Sequence, residues 1–142
     1  MDKSLNNLQR IERESIREVL RQALEKHTDI LFAYLHGSFV TGNSFRDIDV
    51  AVYLEVPPEF VLEYELQMEA ELIGAIERYI IDVKVLNIAP LSFRYNVIKD
   101  GIILFAKNDD AMTDFQEATI TPYMDFLPYY NMYIKETLGV EV

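Results

Sequence analysis

The chain is most informative between two hydrophobic runs, where it reads Gly37-Ser38-Phe39-Val40-Thr41-Gly42-Asn43-Ser44-Phe45-Arg46-Asp47-Ile48-Asp49-Val50. The runs at 30–35 and 50–54 have the apolar, β-branched and aromatic composition of buried strands. Gly37 and Ser38 form a turn at the end of the first run. Asp47 and Asp49 begin the second, and side chains two residues apart on a strand point to the same face. The stretch therefore predicts a strand–turn–strand unit with two neighbouring carboxylates.

The residue types in this unit indicate phosphate and metal chemistry. Two like charges at this spacing repel unless a cation lies between them, and hard oxygen ligands favour Mg²⁺ or Mn²⁺. A small Gly-Ser turn lets a phosphate approach the backbone N–H groups closely. An Asp-x-Asp pair alone is usually a solvated strand end, and a Gly-Ser pair alone is only a turn. Their occurrence together, each on its own hydrophobic run, favours phosphoryl or nucleotidyl transfer.

A third carboxylate lies in another apolar run, residues 79–86, which reads as a strand. Asp82 is the acid within it, and a buried carboxylate needs a partner. Lys84 shares its face and is one candidate partner. The alternative, which we favour, is that Asp82 faces Asp47 and Asp49 from a neighbouring strand and completes a metal site. Lys84 then neutralises a triphosphate oxygen.

These motifs resemble those of the minimal nucleotidyltransferases, small members of the DNA polymerase β-like superfamily. The residues in the resemblance are Gly37, Ser38, Gly42, Asp47, Asp49 and Asp82. The resemblance extends from about residue 31 to about residue 126. It implies an α+β fold, a mixed β-sheet flanked by helices. The loop before Asp47 is shorter than in many relatives, and Arg46 stands where a serine often precedes the first aspartate.

The resemblance also implies roles for these residues. Asp47, Asp49 and Asp82 would be catalytic and would bind Mg²⁺ or Mn²⁺. Phosphates of a nucleoside triphosphate, expected to be ATP, would contact Gly37, Ser38, Gly42, Arg46 and Lys84. For Arg46 a phosphate contact and a solvated turn residue are equally open.

Minimal members of the family are often paired with a HEPN-domain toxin. There the nucleotidyltransferase is the antitoxin and can transfer AMP to a tyrosine of the toxin. By resemblance we expect this role, with a basic HEPN protein as partner. Two alternatives stay open: an antitoxin that acts by binding alone, and a free-standing transferase that acts on a small molecule.

Length and composition set further expectations. The 142 residues predict a single domain, with a core at about 28–107 and a C-terminal helical segment at about 108–138. The absence of cysteine excludes a thiol nucleophile and a thiolate zinc site. His36, directly before Gly37, is expected to pack at a strand end rather than to act in the site. The chain is expected to be cytoplasmic, because it shows neither a membrane-spanning run nor a signal-peptide profile.

The formal net charge of −11 argues against a partner of extended nucleic acid, which needs clustered Lys and Arg. It is compatible with a nucleotide delivered with its metal, with a basic protein partner, or simply with solubility. Self-association is also possible from the composition.

The periodicity predicts the order α-β-β-α-β-α-β-α. The first helix covers about 8–26, the second begins at Pro57-Pro58 and runs to about 78, and a third covers 91–100 and ends at Gly101 before a strand at 102–105. The second helix is expected to contact the core through Phe60, Leu62, Leu66, Ile73 and Ile76. Its acidic face would consist of Glu63, Glu65, Glu69 and Glu71. The C-terminal aromatic residues Phe115, Tyr123, Phe126, Tyr129, Tyr130 and Tyr133 either pack on the core or form a partner surface; we favour packing.

Overall fold

A computed structural model describes residues 3–42 and 45–138, and the side chains of 9–42 and 45–137. The elements are α1 (Lys3–Glu25), β1 (Ile30–His36), α2 (Ser38–Thr41), β2 (Asp47–Leu54), α3 (Val61–Ala75), β3 (Ile80–Val85), a 3₁₀ turn (Leu86–Ile88), α4 (Leu91–Asp100), β4 (Ile102–Ala106) and α5 (Asp109–Leu138). The four strands and the longer helices follow the predicted order, and α2 is an additional single turn between β1 and β2.

The strands of the described chain form one four-stranded sheet in the order β3-β2-β1-β4. β1 is antiparallel to both β2 and β4, whereas β2 and β3 are parallel. A short connection through α2 permits the antiparallel pair, and the longer crossover through α3 permits the parallel one. The predicted α+β fold with a mixed sheet flanked by helices is confirmed.

Each face of the sheet has its own hydrophobic cluster. On one face, Val50 and Val52 pack with Leu20 of α1 and Leu72 of α3. On the other face, residues of the strands pack with those of α4 and α5; this cluster contains Phe32, Tyr34, Ala51, Val97, Met112 and Phe115. Since side chains alternate along a strand, Asp47 and Asp49 point to the same face as Ala51. Both aspartates therefore lie on the face that α4 and α5 cover in part.

The prediction for the second helix was wrong in its start and in its buried face. Residues 57 and 58 have no regular structure, 59 and 60 form a bend, and α3 begins at Val61. Four of the residues expected to contact the core are exposed: Phe60, Leu62, Leu66 and Ile73. The helix instead buries Glu65, Met68 and Leu72. The helix is apolar on several sides, so its sequence did not distinguish the inner stripe from the outer one.

Two glutamates of α3 bind the outer edge of β3. Glu65 Oε2 accepts a hydrogen bond from the Val85 amide at 2.9 Å, and Glu69 Oε1 accepts one from the Val83 amide at 3.0 Å. A strand at the edge of a sheet has amides that no neighbouring strand can bind. The carboxylates satisfy these donors, which explains why Glu65 is buried although it was assigned to the acidic face of the helix.

The C-terminal aromatic residues divide into two groups along α5. Phe115 is buried against Phe32 and Tyr53, and the ring of Tyr123 stacks on Tyr95 with 3.8 Å between centroids. The expected packing is therefore correct for these two. The remaining four are exposed, so packing was the wrong expectation for them: Phe126, Tyr129, Tyr130 and Tyr133.

None of the helices in the described part of the chain combines the length and the apolar character that a membrane span requires.

Candidate active site

The strand register places three site residues in one row across the sheet. His36, the last residue of β1, is paired with Asp49 of β2. Asp49 is in turn paired with Asp82 of β3, because β2 and β3 are parallel and in register at this point. Asp47 lies two residues before Asp49 on the same strand and the same face. The structure thus brings together the three carboxylates that the sequence singled out.

Gly37 lies directly against the central carboxylate. It is the one residue with a positive φ among those described, with φ 76° and ψ −157°, a region essentially restricted to glycine. A Cβ atom at this position would lie 2.1 Å from Asp49 Oδ2. The carbonyl of Gly37 accepts hydrogen bonds from the amides of Val40 and Thr41, which closes the single turn of α2. The turn therefore needs glycine both for its backbone and for the space that the carboxylate occupies.

Burial and neighbouring charges shift the pKa values of two groups in the row. Burial raises the pKa of the Asp49 carboxyl; His36 opposes this, and the carboxylates of Asp82 and Asp47 add to it. Burial lowers the pKa of His36, against the opposing effect of Asp49 and Asp82. Ionisation of Asp49 is therefore less favourable in the folded chain than in water, and a bound cation would offset that cost.

The surroundings of Asp82 are compatible with both roles considered for it, an ion pair with Lys84 and a metal ligand. Lys84 Nζ lies 3.7 Å from Asp82 Oδ1, within ion-pair distance but longer than a hydrogen bond. Both side chains are about half exposed, and exposed pairs of this kind contribute little to stability. The pair therefore leaves the Asp82 oxygens accessible beside Asp49, and the metal role of Asp82 stays a prediction.

The donor set fits a hard divalent cation. Three carboxylates on one face supply the oxygen ligands that Mg²⁺ and Mn²⁺ prefer, and Gly37 removes the side chain that would fill the space beside them. As the side chains are placed, no three His, Asp or Glu residues of the described chain form a group that would hold an ion. Side-chain rotations around the ion would be needed to complete its coordination.

The end of α2 is attached to α1 by Arg13, a residue that the sequence did not indicate. Arg13 donates a hydrogen bond from Nη2 to the Gly42 carbonyl at 2.8 Å, and its guanidinium lies 5.0 Å from the centre of the Phe45 ring. Gly42 ends α2, and Arg46 is exposed in the bend before Asp47. The phosphate roles of Gly42 and Arg46 stay predictions. Residues 43 and 44 lie outside the described residues. No local pattern indicates Arg13, because its contact spans 29 positions.

A cleft of about 330 Å³ opens between α2 and α4 on the Gly37 side of the row. Its lining includes His36, Gly37, Thr41, Asn96 and Phe93. The ring of Phe93 lies edge-on to that of His36, with 5.4 Å between centroids. His36 is therefore packed, as expected, but it also lines the cleft. Phe93 is a second residue that the sequence did not indicate.

A family model described as Polymerase beta, Nucleotidyltransferase matches residues 18–110 of the chain. The chain belongs to the polymerase beta nucleotidyltransferase family. The matched range includes every residue of the candidate site except Arg13, so the family assignment rests on the part of the chain that forms the sheet and the carboxylate row. No curated protein matches the sequence.

Solved structures with the same fold include members of toxin–antitoxin complexes. This nucleotidyltransferase is similar to a chain of a toxin–antitoxin complex with AMP-PNP, at 22% identity and a TM-score of 0.68, over 90% of this chain and 98% of that one. A second is from the tri-AMPylated HEPN toxin of Shewanella oneidensis in complex with its MNT antitoxin, at 20% identity and a TM-score of 0.66, over 93% and 99%. A third is from the MntA–HepT complex, at 19% identity and a TM-score of 0.64, over 92% and 99%. At these identities the likeness shows the shared fold.

Proposed function

We propose that the chain transfers AMP from ATP to a tyrosine hydroxyl of a HEPN-domain partner and thereby acts as its antitoxin in the cytoplasm. The register of Asp49 with Asp82, beside the Gly37 turn, is the observation that supports this function. Structural relatives of the same fold include an AMP-PNP complex and a complex with an AMPylated HEPN toxin. The acidic chain, with a net charge of −11, would attract a basic partner.

The proposed reaction assigns a role to each part of the site. Asp47, Asp49 and Asp82 would hold Mg²⁺, which would supply charge neutralisation for the triphosphate. Gly37 and Ser38 hold phosphate oxygens through backbone N–H groups and the Ser38 hydroxyl. Asp82 takes the proton from the tyrosine hydroxyl, whose oxygen forms a bond to the α-phosphorus. The bond from that phosphorus to the oxygen bridging the β-phosphate breaks, and pyrophosphate leaves. Positioning and electrostatics account for most of the rate in such a transfer.

Two labelled forms of ATP test this proposal. The protein is incubated with Mg²⁺, host extract and ATP labelled at either the α- or the γ-phosphate, with Asp82→Asn as the control. Label should pass to a protein acceptor only from the α position, and the variant should lose at least about 100-fold in rate, since metal ions supply several kcal/mol. Transfer from the γ position would show a kinase and overturn the proposal.

A second candidate is an antitoxin that acts by binding alone. It is favoured by the placement of the side chains, because no three acidic or histidine residues of the described chain converge on one ion position. In that case Asp47→Asn and Asp82→Asn would still neutralise the toxin in cells. If both variants bind the toxin but no longer neutralise it, binding alone is excluded.

A further inference from the structure

We propose that the groove between α3, the 3₁₀ turn and α4 receives the aromatic ring of the acceptor tyrosine. This inference rests on the proposed function and assigns the acceptor's position within it. The groove has a volume of about 290 Å³, and its walls include Val61, Ile88, Pro90 and Phe93. Lys84 lies at its edge. The lining is thus mostly apolar, with one cation, Lys84, and one carboxylate, Glu65.

The groove begins beside the carboxylate that would accept the proton. Lys84 lines it, and the Nζ atom of Lys84 is 3.7 Å from Asp82 Oδ1. Glu65 also lines the groove, but its Oε2 is bound to the Val85 amide. A phenol ring held against the apolar walls would therefore have Asp82 and Lys84 as the polar groups nearest to its hydroxyl. The ammonium of Lys84 would also favour the phenolate form, because an opposite charge stabilises the ionised state.

Phe93 separates this groove from the cleft on the Gly37 side. It lines both spaces, and its ring contacts His36, the first member of the row His36–Asp49–Asp82. The row therefore runs from the cleft beside Gly37 towards the groove beside Lys84. A nucleotide on the Gly37 side and an acceptor on the Lys84 side would meet over Asp49 and Asp82. Nucleophilic attack needs this arrangement, because the reacting atoms must approach within about 3–3.5 Å.

The size and chemistry of the groove select among acceptors. The volume of about 290 Å³ is at the lower limit of sites for drug-sized molecules, about 300–1,000 Å³, and accommodates one aromatic side chain. Walls of valine, isoleucine, proline and phenylalanine gain from covering an aromatic ring and gain little from a serine hydroxyl. The lining thus favours an acceptor with an aromatic hydroxyl over one with an aliphatic hydroxyl.

The test replaces an exposed wall residue and compares it with a matched exposed isoleucine elsewhere. Ile88 is 56% exposed, and Ile103, on the opposite edge strand, is 43% exposed. N-acetyl-L-tyrosinamide is the acceptor probe and α-labelled ATP the donor. Ile88→Glu should raise the KM for the probe about tenfold or more, because the introduced carboxylate would lose its hydration when the ring binds. The affinity for AMP-PNP should not change, and Ile103→Glu should behave as wild type. An equal KM for wild type and Ile88→Glu would overturn the proposal.

A binding measurement separates failure of this inference from failure of the proposed function. Amide NMR shifts are recorded while N-acetyl-L-tyrosinamide, or its serine counterpart as control, is added to the wild-type protein. The tyrosine probe should shift the amides of Lys84, Val85, Ile88 and Phe93, and Ile88→Glu should abolish those shifts. If these shifts appear without any AMP transfer, the groove binds tyrosine but the proposed transfer function is wrong. Shifts confined to the Gly37 side, no shifts, or equal shifts with the serine probe would overturn the groove.

Discussion

At the scale of single residues, Gly37 determines whether the central carboxylate can stand where it does. Its positive φ and the 2.1 Å approach of a hypothetical Cβ to Asp49 Oδ2 are two separate constraints at one position. The motif Gly-Ser indicated a turn and a close phosphate approach. It did not indicate that the glycine also makes room for the carboxylate of Asp49.

Gly37→Ala should therefore impair both stability and activity. A non-glycine residue in this backbone region costs about 1–3 kcal/mol, and the added methyl group displaces the Asp49 carboxylate. We expect the free energy of unfolding in urea to fall by that amount and AMP transfer to be lost. Gly74→Ala is the matched control: it lies in α3, and its Cβ would meet nothing within 4 Å. That change should stabilise the protein by about 0.5–1 kcal/mol. Equal stabilities for the two variants would contradict the argument.

His36 should make stability depend on pH. Burial lowers its pKa in the folded chain below the ordinary 6.5, while Asp49 and Asp82 act in the opposite direction. Below pH 6.5 the unfolded chain therefore binds a proton that the folded chain does not yet bind, so stability falls as the pH falls from 6.5 towards the lowered pKa. Urea unfolding above and below this pH measures the loss. The His36→Asn variant cannot titrate at this position, so its free energy of unfolding should lose this part of the pH dependence. If the variant shows the same change in stability with pH as the wild type, His36 is not the group responsible.

At the scale of elements, α3 shows where sequence periodicity is least informative. Large apolar residues lie on both of its sides: Leu62 and Leu66 are exposed, while Met68 and Leu72 are buried. The buried Glu65 is explained by the edge of β3, a partner that is distant in sequence. Both features depend on which strand lies beneath the helix, and the helix sequence does not contain that information.

Two leucines of α3 give a direct test of this orientation. Leu72 is fully buried and Leu66 is 55% exposed. Leu72→Ala should lower the free energy of unfolding by about 2–5 kcal/mol, because it leaves a cavity in the core. Leu66→Ala should change it by less than about 0.5 kcal/mol, as is usual for surface substitutions. Chemical denaturation measures both. Comparable losses would mean that the helix is rotated from the orientation described.

At the scale of the whole molecule, the net negative charge should make the stability depend on salt. The net charge of −11 in 142 residues implies self-repulsion in the folded chain. Added NaCl screens this repulsion, so we expect Tm to rise by about a few degrees between low and physiological ionic strength. A variant with Glu59→Lys and Glu63→Lys, at two exposed positions, should show a smaller rise. A Tm that falls with salt would show that attractive ion pairs dominate instead.

The sequence by itself determined the order of the elements, the two strands that hold Asp47, Asp49 and Asp82, and the turn at Gly37-Ser38. Alternating hydrophobicity and turn residues are local signals, so a single pass along the chain detects them. Only the tertiary structure decided the register that aligns His36, Asp49 and Asp82, and the face that α3 buries. It also decided the hydrogen bond between Arg13 and Gly42, and the positions of the cleft and the groove that Phe93 lines. Those features join residues far apart in the chain, and they depend on how the layers pack on one another rather than on any local propensity.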